Sequence, residues 1–89
     1  MAISATETDP RVADVRVSAT ALTVALRDGR QIGAPLDWFP RLKNATAAAR
    51  SVWEPSASGH GIHWPLIDED LSVDGLLRGT AAPSGDRGR

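Results

Sequence analysis

Cysteine and tyrosine are absent from this 89-residue chain, phenylalanine occurs once, and the single methionine is residue 1. Without cysteine there are no disulfides and no thiolate metal sites. Neither sign of charge prevails: ten Lys and Arg face eleven Asp and Glu, for a net charge of −1. The charges are interspersed, so there is no electrostatic footprint for nucleic acid or for a membrane surface. No apolar run approaches the length of a spanning helix, and no basic-then-apolar leader opens the sequence. The expectation is a cytoplasmic protein with no membrane partner.

What is present fits one domain. Residues 1–10 ("MAISATETDP") and 80–89 ("TAAPSGDRGR") are small and polar, without apolar periodicity, and are expected to be disordered tails. Residues 11–79 then form a single domain, near the lower size limit for a core without metal or disulfide support. Self-association would add stability, so a homodimer is within expectation.

Within the domain, "RVADVRVSA" (11–19) alternates with the period of a strand, Ala13, Val15 and Val17 on one face and Val12, Asp14 and Arg16 on the other. "ALTVALRDGRQIGAPL" (21–36) reads as strand, turn, strand. A two-residue loop at Asp28-Gly29 would set Arg27 opposite Arg30 and turn Ile32 away from Leu26. A three-residue loop, Arg27-Asp28-Gly29, pairs Val24 with Ile32 and Leu22 with Ala34. The apolar faces then agree, and Gly29 takes the left-handed position of a turn with a bulge.

After Pro35, Asp37 is expected to cap a turn holding Trp38, Phe39 and Pro40. A short helix follows, capped by Asn44 or Thr46, with Ala45, Ala48, Ala49, Val52 and Trp53 on one stripe against the sheet. Residues 52–55 and 61–64 make a loose hairpin. Residues 70–79 make a last short helix capped by Ser72 and stopped by Gly79. The fold class is α+β: a small antiparallel β-sheet in the order β-β-β-α-β-β-α, with two short helices.

Four stretches taken together resemble a bacterial family, domain of unknown function 2442: "DGR" (28–30), "PLDWFPRL" (35–42), Ala45-Thr46 with Arg50 and Trp53, and "GIHWPLIDEDLSVDGLL" (61–77). The resemblance spans about Val12 to Gly79. It implies a short antiparallel sheet with helices on one side and no established activity. It also implies that longer members carry a helix-turn-helix, and that others are encoded beside a second small protein in a toxin–antitoxin-like arrangement. Here a short polar tail follows Gly79, so no direct route to DNA is expected.

The stretch "HGIHWPLIDEDLS" (60–72) looks most like chemistry. His60 and His63 lie three apart, but Gly59, Gly61 and Pro65 keep the segment extended. In a strand such positions point to opposite faces, which argues against a shared metal. Ile62 and Trp64 are expected inside, and Gly61 and His63 outside. Asp68, Glu69 and Asp70 sit before the Ser72 cap, where acids favour the helix dipole. Three exceed what a cap uses, so Arg41 or Arg50 is expected to pair with one of them. No nucleophile–base–orienter set can be assembled, and no cofactor motif occurs.

Trp53 and Trp64 are assigned to the core, whereas Trp38 is balanced between core and interface. The strand at 11–18 is the expected open sheet edge. The resulting expectation is a non-catalytic module that binds a protein partner, either a small toxin-like protein or itself. The contact residues are Trp38, Arg41, Arg50, His63, Asp68, Glu69 and Asp70, or the chain adds a strand. Two alternatives are a transcriptional regulator lacking its own helix-turn-helix, which near-zero charge disfavours, and a small enzyme using residues 68–70 with His63.

Overall fold

The first hairpin sets the frame. In the computed structural model, which describes residues 8–79, β1 (Val12–Val17), β2 (Ala21–Leu26) and β3 (Gln31–Pro35) form an antiparallel sheet in that order. The β2–β3 register is the one the three-residue loop requires, Val24 opposite Ile32 and Leu22 opposite Ala34. Gly29 sits at φ 97°, and its N–H donates to the Leu26 carbonyl at 3.0 Å. Glycine meets that left-handed geometry without a Cβ clash. The tails expected to be disordered lie outside the described residues, except for residues 8–10. There the Asp9 N–H donates to Asp28 Oδ2 at 2.9 Å, tying the approach to β1 onto the turn.

β1 departs from simple alternation. Val12 pairs with Leu26, but Asp14 pairs with Ala25, so Ala13 is the extra residue of a bulge. The bulge turns Val12 inward with Val15, and both are buried while Ala13 is exposed. A strict period of two therefore misassigned Val12. Three cross-strand rows result on the inner face: Val12 with Leu26, Val15 with Val24 and Ile32, and Val17 with Leu22 and Ala34.

The chain then makes a corner. Leu36–Trp38 is a single 3-10 turn, and α1 (Pro40–Lys43) starts on Pro40, whose missing N–H costs nothing in a first turn. Asp37 does not cap this turn; its carboxylate pairs with Lys43 at 2.6 Å. Phe39 is fully buried, as are Leu36 and Leu42. α2 (Ala47–Ser51) is capped by Thr46, whose hydroxyl accepts from the Ala49 N–H at 3.1 Å. It buries none of its residues, so the expected alanine stripe against the sheet does not form. Five residues are too few to bring Ala45 through Val52 onto one packed face.

The second half is another antiparallel sheet, β4 (Glu54–Ser56), β5 (Gly61–Trp64) and β6 (Glu69–Ser72). β4 and β5 are the expected hairpin, with Pro55 on an edge strand where its missing donor is harmless. β6 is an additional strand: residues expected in the entry to the last helix instead pair with β5, Trp64 opposite Glu69 and Ile62 opposite Leu71. α3 (Val73–Arg78) follows directly. Ser72 accepts from the Gly75 N–H at 2.9 Å, and Gly79 closes the helix at φ 77°. Residues of both sheets, the corner and α3 share one apolar core, in which Trp64, Phe39 and Leu22 are the largest fully buried side chains. The class is α+β, with the antiparallel strands divided between two small sheets and with a few short helices.

Candidate functional site

The residues singled out by sequence separate into two groups. His63 and Asp70 are neighbours across the β5–β6 ladder on its solvent side. His63 Nδ1 lies 3.0 Å from Asp70 Oδ1, a contact an ionised carboxylate makes only with the protonated nitrogen. Glu54 stands opposite His63 on the other side, in β4. His63 is half-buried and His60 exposed, and among the described residues no three His, Asp or Glu side chains are grouped to hold a metal ion. Gly61 shares the face of His63 but is covered there by Ser56. It is buried, and a Cβ there would meet Ser56 Oγ at 2.6 Å and the Leu71 carbonyl at 3.2 Å.

The second group lies where α1 and α2 meet the β5–β6 loop. That loop is Pro65, Leu66, Ile67 and Asp68, with the Ile67 N–H donating to the Trp64 carbonyl at 3.2 Å. Asp68 closes it at φ 57°, a left-handed conformation that aspartate tolerates better than most residues. Its carbonyl accepts a 2.8 Å hydrogen bond from Arg41 Nη1. Glu69, the next residue, points inward with Leu71 and is 9% exposed. Burial pushes its carboxyl above the ordinary glutamate range. A backbone hydrogen bond from Asp70 and the nearby Arg41 charge work against that rise, while Asp70 and Asp68 add to it.

Neither arginine forms the expected carboxylate pair. Among the described residues, Arg41 and Arg50 have no carboxylate within ion-pair distance. Arg50 instead donates to the Leu42 carbonyl from Nε at 2.8 Å and to the Lys43 carbonyl from Nη2 at 2.7 Å. Those carbonyls end α1, a place where arginine commonly satisfies orphan acceptors. The Arg50 carbonyl in turn accepts from Trp64 Nε1 at 3.1 Å. Arg50 therefore fastens α1, α2 and β5 together.

Trp38 is 36% exposed, whereas Trp64 is fully buried and Trp53 packs against the core from its margin. The Trp38 ring meets Phe39 edge-on, with centroids 6.3 Å apart. Leu66, at 65% exposure, is the most exposed large apolar side chain among the described residues. Sequence reasoning passed over it. The available signal was an apolar pair, Leu66-Ile67, inside a four-residue hairpin loop where polar residues are usual.

A family model described as protein of unknown function (DUF2442) matches residues 12–82. No curated protein matches. A crystal structure of a protein of unknown function from Rhodospirillum rubrum is similar at 27% identity and a TM-score of 0.71, over 85% of this chain and 94% of that one. The solution structure of an uncharacterised protein from Chromobacterium violaceum is similar in fold, at 24% identity and a TM-score of 0.71, over 83% and 70% of the two chains. No helix among the described residues is long and apolar enough to cross a membrane.

Proposed function

Because the chain belongs to the DUF2442 family, whose description carries no activity, we propose from its own surface that it is a non-catalytic protein-interaction module. The observation that carries the reading is Trp38: the one tryptophan left more than a third in solvent stands three residues from Arg41 at the helical corner. Trp and Arg are the side chains that most often anchor protein–protein contacts. The His63–Asp70 pair supports the same reading. It lies on the solvent side of a strand ladder, where a partner can reach it.

In its finer form, the module is the neutralising half of a toxin–antitoxin-like pair in the cytoplasm, and it holds a small partner through Trp38 and Arg41. Self-association by strand addition is the second form. β1 is an edge strand, and antiparallel alternation turns the N–H and C=O groups of Val15 and Val17 away from β2.

The test is purification of the tagged full chain from its native host under mild conditions. One small protein should accompany it in stoichiometric amount and be lost from the Trp38→Ala variant. Emergence of the chain alone, in monomeric form, contradicts the proposal.

A further inference from the structure

We propose that the groove between the α1–α2 corner and the β5–β6 loop binds a short apolar segment of a partner protein, and that Arg41 holds a carboxylate on that segment. The inference rests on the protein-interaction reading and specifies its site and ligand chemistry.

The groove is a shallow depression, largely open to solvent, of about 440 Å³, and is lined by Arg41, Asn44, Ala45, Ala49, Leu66 and Ile67, among others. Arg41 is the one ionisable side chain in that lining. Among the described residues its guanidinium makes a single hydrogen bond, to a neutral carbonyl, so its charge is not compensated at contact distance. Glu69, whose charge interacts with Arg41, faces the core and does not line the groove.

The rest of the wall is apolar or uncharged, and Leu66 stands over it with most of its surface in solvent. Two features hold the arrangement ready. Asp68 adopts a left-handed backbone that aims its carbonyl at Arg41, and Thr46 caps α2 so that Ala49 is presented beside Ala45. Guanidinium is a planar fork that grips carboxylate with two parallel hydrogen bonds, and the apolar wall selects a segment with an aliphatic or aromatic neighbour. A polyanion such as nucleic acid needs several cations in a row, which this lining does not offer.

The test is selection of phage-displayed random heptapeptides on the full chain, followed by fluorescence polarisation with the enriched peptides in synthetic form. Enriched sequences should place Asp or Glu beside a large apolar residue. R41Q should weaken them at least about tenfold, and R41K by less, because it keeps the charge but not the fork. Replacing the peptide's acid by its amide should weaken binding to the wild type by a similar factor and make no difference to R41Q. L66S should weaken the acid and amide peptides alike. Circular dichroism melts of each variant confirm folding.

The proposal is overturned if enriched peptides lack an acid, if R41Q binds them as the wild type does, or if none enriches. It is also overturned if R41Q disperses a homodimer, because the occupant is then a second copy. A footprint confined to Trp38 or to the β1 edge, with the groove residues unprotected, overturns the groove and leaves the protein-interaction reading standing. Absence of peptides together with a chain that purifies alone removes both.

Discussion

Trp64 and Glu69 stand directly opposite each other in the β5–β6 ladder, and both are buried. Cross-strand partners lie close enough to interact, so a carboxylate is held beside an indole in a place with little water. Such a site favours the protonated acid.

Glu69→Gln keeps the size of the side chain and removes its charge. The raised value means that the folded chain holds this proton more tightly than the unfolded chain. The contribution to stability is therefore fully present below the ordinary glutamate range and is lost as pH rises through the raised value. The variant lacks that loss. Thermal melts should show it more stable than the wild type at about pH 8, with the difference closing towards about pH 4. A difference that grows on acidification contradicts the assignment.

Asp28 shifts the opposite way. Its carboxyl is lowered to about 2, first by the Arg30 guanidinium and then by the Arg30 backbone N–H, and it also accepts from the Asp9 N–H. Its contribution is present above the ordinary aspartate value of 3.8 and is lost as pH falls towards about 2. Acid titration of the fold, followed by circular dichroism, should therefore be shallower across that window in Asp28→Asn than in the wild type.

Gly61→Ala brings a Cβ against Ser56 Oγ and the Leu71 carbonyl, on the central strand of the second sheet. The hydroxyl can rotate, but the carbonyl belongs to a ladder and cannot yield cheaply. Urea denaturation should show a loss of about 1–3 kcal/mol. Pairing the change with Ser56→Gly should return only the part caused by the hydroxyl.

The two helix caps should differ in cost. Ser72→Ala removes the acceptor for Gly75 at the start of a helix that buries Val73 and Leu76, with an expected loss of about 1 kcal/mol. Thr46→Ala does the same to a helix that buries nothing, so local fraying can absorb it, and the loss should be about 0.5 kcal/mol. Denaturant melts of the two variants side by side give the comparison. Equal losses would show that α2 is as firmly coupled to the core as α3.

The β2–β3 hairpin was legible to the residue, because only one loop length satisfies the apolar faces, the charges and Gly29 together. The Ser72 cap was legible because a short polar side chain at a helix start has one inexpensive use, whereas for α2 the sequence left Asn44 and Thr46 as equal candidates and the structure selects Thr46. The β1 bulge was not, since no residue type marks the position where alternation skips at Ala13. β6 was hidden by composition. Acids at 68–70 look solvated and cap-like, and only the pairing with β5 turns Glu69 inward. The arginines were misread because carbonyl acceptors carry no sequence signature. Every residue has one, and Arg41 and Arg50 chose carbonyls of Asp68, Leu42 and Lys43 over any carboxylate. The groove combines the ends of two helices with a hairpin tip and becomes visible only in three dimensions.

Among the described residues, every strand pairs solely with its immediate predecessor or successor along the polypeptide, in both ladders. No pairing has to wait for distant segments to find each other, so the entropic barrier to zipping each meander is small. The two ladders depend on each other through the one core they share, which holds both Trp64 and Phe39.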